Sequence, residues 1–325
     1  MPKPTIAIAA GDPAGIGPEI SLKAALDRTV RAACNPFIVC DPTVLARYAE
    51  ACGIKANLHA IAAAADARWP DGRVNVLACP QPEAAPVGAV SAAAGRASLA
   101  FARMAIKTAL AGDADAVVAA PQNETSIAQA RIAFDGYPSF VAYETATDPA
   151  GVYLMLCFGD TKIVHATLHV SVRDALAAIT RENVSRAIAT ADRALRRIGI
   201  ASPRIAVGGL NPHAGEGGLF GREEIEVIKP AIDAAAAGGL GVFGPFGTDT
   251  MLRMPGFDAF VVMLHDQGHI AAKLVAPNAT AALTIGTPIL FSSVAHGSAH
   301  DIAGKGVANP AAMIEAVLRL SKAHG

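Results

Sequence analysis

Short apolar runs alternate with longer helical patterns along almost the whole chain, and this alternation constrains the fold more than any other feature. The runs are Thr5–Ala10, Pro36–Cys40, Val74–Leu77, Ala116–Ala119, Tyr153–Phe158, Lys162–Leu168, Arg204–Val207, Ala259–Met263 and Ala282–Ile285. They read as strands, and most are apolar on both alternating faces, as strands covered on both sides must be. Between them lie helical patterns at Pro18–Leu26, Pro42–Cys52, Ser91–Ala111, Arg181–Ile198, Arg222–Ala236 and Pro310–Ala323. Pro18 and Pro310 stand where a first helical turn tolerates a residue without an N–H. The expectation is an α/β protein with mostly parallel sheets flanked by helices.

The chain has 325 residues, enough for two domains, with 52% hydrophobic and 17% charged residues, so a large core is available and disorder is not expected. Aromatic residues are only 5%, which favours close-packed helices on a sheet over a β-sandwich. A net charge of −1 offers no basic face, so nucleic-acid binding is not expected. The five cysteines, Cys34, Cys40, Cys52, Cys79 and Cys157, form no C-x-x-C and are odd in number. A disulfide framework or thiolate zinc site is therefore not expected, and a reducing cytoplasm is the natural setting. The first ten residues read as a strand and not as a signal peptide, and no apolar run reaches the length of a membrane span.

Against this background several glycine-rich segments stand out. The stretch from His296 to Pro310, HGSAHDIAGKGVANP, sits between an apolar run and the last helical pattern. Glycines at that density let a backbone approach a flat ligand closely. It is not a G-x-G-x-x-G fingerprint, so an ordinary dinucleotide fold is not indicated. Near the start, Gly11-Asp12-Pro13-Ala14-Gly15-Ile16-Gly17-Pro18-Glu19 follows a strand and opens a helix. Such a turn either presents N–H groups to an anion or is simply tight, and the sequence favours neither. His169, His213 and His265 each fall just past a predicted strand end, the edge where open α/β sheets bind ligands. Three neutral imidazoles are a common metal-binding set, although one such histidine alone is more often structural.

The loop from His296 to Pro310 resembles the adenosine-binding loop of the isopropylmalate and isocitrate dehydrogenases. That resemblance implies their two-domain fold with an active-site cleft between the domains. It suggests one domain from residues 1–121 and 279–325 and an inserted domain, residues 122–278, carrying the metal-site histidines and dimer contacts, with crossings near Pro121 and Asn278. It assigns cofactor contacts to His296, Gly297, Ser298, Ala299, Asp301, Gly304 and Asn309. An acidic residue at Asp301 suits the ribose 2′-OH of NAD and would repel the 2′-phosphate of NADP.

The segments GDPAGIGPE, GLNPHAGEGG at 209–218 and HDQG at 265–268 together resemble the 4-hydroxythreonine-4-phosphate dehydrogenase family over essentially the whole chain. Its members use NAD(P) and a divalent metal to oxidise a secondary alcohol beside a carboxylate. The resemblance places the metal on His169, His213 and His265, with one histidine coming from the other subunit of a homodimer. Three imidazoles favour Zn2+, with Mg2+, Mn2+ and Co2+ as alternatives. Lys273 matches the family's substrate-contacting lysine, Asp249 and Asp266 match acidic residues around the site, and Gly11 and Asp12 fall at the substrate. His165 and His269 carry no family role and are expected to be structural or supporting.

The departures from that family concern its phosphate grip. A His-Thr pair, an asparagine and an arginine are replaced here by Tyr137-Pro138, Ala282 and Phe291, and residues 121–125 lack the usual lysine. Replacing arginine with phenylalanine removes a bidentate phosphate ligand, and Tyr137 with Phe291 would suit a flat ring. FDGYPS at 134–139, HDQGH at 265–269 and LVAPN at 274–278 are similar to the terephthalate cis-dihydrodiol dehydrogenases, which act on a cyclic diol bearing two carboxylates. The expected reaction is metal-assisted oxidation to a β-keto acid followed by decarboxylation to a catechol acid, with Lys273 and Asp266 handling the proton. The alternatives are the phosphate-ester dehydrogenase of pyridoxal phosphate synthesis, a metal-dependent hydrolase using the same histidines, and a non-catalytic metabolite-binding protein.

Overall fold

The computed structural model describes residues 2–276 and 280–323, along which twelve strands lie. In chain order they are β1 (Thr5–Ala9), β2 (Asn35–Cys40), β3 (Asn57–Ile61), β4 (Arg73–Ala78), β5 (Ala116–Ala119), β6 (Tyr153–Phe158), β7 (Thr161–His165), β8 (Arg204–Gly208), β9 (Gly241–Phe246), β10 (Ala259–Val262), β11 (Ala281–Ile285) and β12 (Leu290–Val294). The chain divides into two units, Met1–Ala146 with Pro288–Gly325, and Thr147–Thr287.

In the first unit the strand order is β3-β4-β2-β1-β5-β12 and every pairing is parallel. Ile6 to Ala9 of β1 and Val117 to Ala119 of β5 are fully buried, as apolar strands covered on both faces must be. The chain leaves β1 towards β2 on one side, while β5 pairs on the other. The C-terminal ends of β1 and β5 therefore flank a topological switch point, where open α/β sheets bind ligands. The Asp12 N–H donates to the Pro121 carbonyl at 3.0 Å across that point.

Residues 122–146 stay with the first unit. Arg103, on the helix Ala92–Leu110, pairs with Glu144 at 2.7 Å, and the Tyr137 hydroxyl donates to the Ala120 carbonyl at 2.9 Å. The other crossing suggested by the sequence, Asn278, lies outside the described residues.

The second unit is mixed, in the order β11-β6-β7-β10-β8-β9. β11, β6 and β7 pair antiparallel, and β7, β10, β8 and β9 run parallel. Its helix Arg181–Arg197 is capped by Thr180, whose hydroxyl accepts the Asn183 N–H, and buries Val184, Ile188, Ala191 and Leu195 along one face. The pattern read as one helix over Arg222–Ala236 divides into a π turn, Glu224–Ile228, and the α-helix Lys229–Ala237. Pro230 has no N–H to continue the ladder there.

Three strands escape the apolar-run reading. β3 and β9 are edge strands, one alternating in polarity and the other interrupted by Gly244-Pro245, while β12 merges with β11 in sequence until Gly286-Thr287-Pro288 separates them. No helix among the described residues is long and apolar enough to cross a membrane.

Candidate active site

In the first unit the two glycine-rich motifs are locked to each other. The Ile16 N–H donates to the Ser298 carbonyl at 2.8 Å, and the Asp12 carboxylate meets His300 Nε2 at 2.7 Å. Further along, the buried Glu19 carboxylate accepts the Ala308 N–H at 2.8 Å. Lys23 donates to Glu19 at 2.7 Å and to the carbonyls of Gly306 and Ala308 at 3.0 and 2.7 Å. A Cβ on Gly15 would lie 2.5 Å from the Ser298 carbonyl oxygen, so only glycine admits this approach.

The N–H groups of Asp12, Ala14, Gly15 and Ile16 all find acceptors within the chain. These bonds make it a tight turn that holds the later loop. Glu19, Lys23 and His300 are organising residues the motif reading misses, although Glu19 stands inside the motif itself.

Within the loop, Ser298 is buried and Asp301 is exposed. Asn123 Nδ2 lies 3.4 Å from the Ser298 hydroxyl, to which it donates. Ala299 adopts the left-handed region at φ 41, which costs a non-glycine residue about 1–2 kcal/mol. His296 is half-buried, with Nδ1 3.1 Å from the Gly297 carbonyl. Asn309 accepts the Ala311 N–H at 2.9 Å and so helps start the last helix, while Gly304 takes φ +72 against Val87. Gly297 is exposed, and a Cβ there would meet nothing within 4 Å. Protein packing does not demand a glycine at that position.

In the second unit, His169, His213 and His265 follow the C-terminal ends of the parallel strands β7, β8 and β10. The segment holding His213 is a left-handed turn, with φ positive from His213 through Gly217. Buried Glu224 holds it in place: its carboxylate accepts the N–H groups of Leu210 and Asn211, each at 2.7 Å, and the Asn211 side-chain amide at 2.9 Å. Gln267 joins that turn to the next. Its Oε1 accepts the N–H groups of Met263 and Leu264 at 2.9 Å, and its Nε2 donates to the Gly209 carbonyl at 3.1 Å. Thr248 donates to the same carbonyl at 2.9 Å. These turns bound a cavity of about 610 Å3, lined by His213, Asp249, Asp266 and Gln267, with Ile270 and Leu274 on its apolar side.

The helix His265–Val275, which Gly268 and a polar first turn conceal in the sequence, sets the remaining candidates. Spacing of four residues puts His265, His269 and Lys273 along one face. His265 and His269 stack at 3.7 Å, and Asp266 accepts from His265 Nδ1 at 2.7 Å, leaving Nε2 as the outward nitrogen. His165 is buried, with its ring 4.6 Å from that of His269, and a Cβ on Gly268 would fall 2.3 Å from its Nε2. Burial, reinforced by the neighbouring imidazoles, pushes the His165 pKa down to about 3 and that of His269 down to about 4. Both are packed, neutral imidazoles.

The candidate metal donors are partly assembled. The rings of His169 and His265 lie 5.7 Å apart, a spacing at which both can reach one ion at about 2.1 Å. His213 instead stands beside Phe220, with Nδ1 3.5 Å from Glu216. Among the described residues no group of three His, Cys, Asp or Glu side chains is placed to hold a metal. Imidazole is a donor that suits a divalent ion, but among the described residues these three are not gathered into one site.

The candidate substrate residues are placed as follows. Lys273 is exposed on its helix, and Asp249 is exposed at the cavity. Ala282 is buried in β11. Tyr137 and Phe291 lie inside the first unit with ring centroids 5.0 Å apart, Phe291 being 1% exposed. Gln122 Nε2 donates to the Tyr137 hydroxyl at 2.7 Å. Pro138 is half-buried in the first turn of the helix Tyr137–Glu144.

A family model described as pyridoxal phosphate biosynthetic protein PdxA matches residues 32–319. The chain is 39% identical over 325 residues to a 1,2-dihydroxy-3,5-cyclohexadiene-1,4-dicarboxylate dehydrogenase of Comamonas sp, covering 98% of each chain. It is 38% identical over 319 residues to the D-threonate 4-phosphate dehydrogenase of Cupriavidus necator, covering 97% of this chain and 95% of the relative. The crystal structure of 4-hydroxythreonine-4-phosphate dehydrogenase from Klebsiella pneumoniae matches with a TM-score of 0.88 at 35% identity, covering 98% of this chain and 99% of that one.

Proposed function

Because the chain belongs to the PdxA family, whose similar members are dehydrogenases, we propose that it is an NAD-dependent, divalent-metal-dependent dehydrogenase acting on a cyclic cis-dihydrodiol dicarboxylate. The observation that carries the substrate class is Phe291. It stands where the resemblance places a phosphate-gripping arginine, is buried, and packs on Tyr137. Ala282, at the asparagine position, is likewise buried and apolar. Neither position offers a phosphate dianion a countercharge, and burying one uncompensated is costly. A relative that by name oxidises 1,2-dihydroxy-3,5-cyclohexadiene-1,4-dicarboxylate, a diol with no phosphate, points the same way.

In this reading His169, His213 and His265 hold the metal, and a second copy of the chain supplies the imidazole that one chain leaves out of place. When bound, the metal lowers the pKa of the substrate hydroxyl and polarises the carbonyl that replaces it. Asp266 orients His265, Gln267 and Glu224 hold the two histidine turns, and Lys273 takes the hydroxyl proton. The loop from His296 to Asn309 would hold the adenosine end of NAD, with Asp301 on the ribose, and bound NAD would supply the hydride acceptor for the alcohol carbon. The resulting β-keto acid loses CO2, and the ring becomes an aromatic catechol acid, which draws the sequence forward. The chain acts as a homodimer in the cytoplasm.

The similarity to D-threonate 4-phosphate and 4-hydroxythreonine-4-phosphate dehydrogenases favours a second reading, a phosphate-ester substrate gripped by other residues. The reaction class itself is tested with purified protein, NAD, a divalent metal and the dihydrodiol dicarboxylate. Absorbance of NADH should rise and a chelator should stop it. Turnover without NADH would indicate the hydrolase alternative, and chelator-resistant turnover would rule out the metal.

A further inference from the structure

We propose that His300 is a positioning residue for the dinucleotide-binding loop, acting through the buried carboxylate of Asp12. The proposal rests on reading residues 296–310 as the loop that holds the adenosine end of NAD.

Asp12 is fully buried at the switch-point end of β1. One of its oxygens accepts the Ala14 N–H at 2.8 Å, and the other faces His300 Nε2 at 2.7 Å. An ionised carboxylate only accepts hydrogen bonds, so His300 donates, and an apolar residue in its place would leave a buried oxygen uncompensated. The His300 side chain is itself only 14% exposed, so its ring is held and does not sweep through solvent.

A second observation gives this contact its direction. Ala299, the residue before His300, sits in the left-handed region at φ 41. It is trapped between two anchors on the same N-terminal turn: the Ser298 carbonyl accepts the Ile16 N–H on one side, and Asp12 holds His300 on the other. Strained backbone persists where its surroundings over-determine it. Release of His300 frees Ala299 to relax, and with it the neighbouring Asp301, whose exposed carboxylate is assigned to the ribose. The far end of the loop is held separately by Glu19 and Lys23 at Gly306 and Ala308. Loss of the latch should therefore loosen residues 297–303 and spare 306–310.

The test compares wild type, His300→Phe and His300→Gln in the full-length protein. Hydrogen exchange is followed at 297–303 and 306–310. Calorimetry gives the NAD Kd without substrate, and steady-state rates with the dihydrodiol give kcat and KM for NAD. In His300→Phe, exchange at 297–303 should accelerate about tenfold or more while 306–310 stays unchanged, and the Kd and KM for NAD should rise about 10- to 100-fold. The kcat at saturating NAD should hold within about threefold, because a binding loss shared by ground and transition states leaves kcat alone. His300→Gln, which keeps an amide donor, should restore most of the affinity.

Unchanged exchange and unchanged Kd in His300→Phe would overturn the proposal, as would equal acceleration at 306–310. If His300→Phe does not fold, His300→Ala carries the same comparison, and there too unaltered exchange at 297–303 overturns it. A wild type that binds no NAD overturns the cofactor reading instead, since the exchange contrast requires no ligand.

Discussion

The Glu224 carboxylate accepts the backbone N–H of Asn211 at 2.7 Å, from thirteen residues further along the chain. The same oxygen takes the Leu210 N–H, and together these bonds fix the entry to the left-handed turn that presents His213. Glu224→Ala would leave those two N–H groups without their acceptor and release a strained turn. We expect a loss of about 2–4 kcal/mol in urea unfolding, with kcat/KM falling further than the stability loss explains. Glu224→Gln keeps one acceptor oxygen and should be milder. Wild-type stability in Glu224→Ala would show that the turn holds itself.

Gln267 connects the turn before His265 with the Gly209 carbonyl next to the His213 segment. Gln267→Glu keeps the acceptor for Met263 and Leu264 but loses the donor and sets a charge against that carbonyl. About a tenfold or greater fall in kcat/KM is expected, because small displacements of reacting groups are costly, whereas the stability change should stay near about 1 kcal/mol. Equal kcat/KM in the two proteins would remove Gln267 from the site.

Asp301 is exposed on the loop locked to the N-terminal turn. Asp301→Arg should replace repulsion of a 2′-phosphate with attraction and move the NAD/NADP ratio of kcat/KM towards NADP by about tenfold or more. An unchanged ratio would break the assignment of Asp301 to the ribose.

These residues also mark how far the sequence carries. Fully apolar runs disclose β1, β2, β5 and β6 because both faces of those strands are covered. The same logic passes over β3 and β9, where edge position relaxes the apolar demand. His169, His213 and His265 are legible as strand-end histidines. Their differing surroundings are not, since the inward turn of His165 and the stacking of His269 depend on a helix that Gly268 hides. Glu19 and Glu224 act on backbone far away in sequence, and no local pattern marks a carboxylate as a buried acceptor. Tyr137 and Phe291 are visible as departures from the phosphate-binding pattern, but their burial against each other comes from the packing of β12 with the helix Tyr137–Glu144.

Asp41 gives the fold a definite acid sensitivity. Burial alone would raise its carboxyl pKa, but hydrogen bonds from Thr43, Gln81 and Val44 outweigh this and hold it below the usual aspartate range. A depressed folded-state pKa contributes stability above the unfolded value and loses it as pH falls through the folded one. Wild type should therefore lose stability from about pH 5 downward more steeply than Asp41→Asn, while at neutral pH Asp41→Ala should cost about 1–2 kcal/mol as a lost helix cap. Parallel pH profiles for wild type and Asp41→Asn would contradict this.

The central claim, that the missing phosphate grip has redirected a PdxA-family site to a cyclic dicarboxylate diol, is tested most directly by substrate competition. Initial NADH formation is measured with the terephthalate dihydrodiol, D-threonate 4-phosphate and 4-hydroxythreonine-4-phosphate under one set of NAD and metal conditions. The account predicts that kcat/KM for the dihydrodiol exceeds that for either phosphate ester by about a hundredfold or more, since a buried apolar surface offers a phosphate no compensation. Efficient turnover of a phosphate ester, with none of the dihydrodiol, would contradict it.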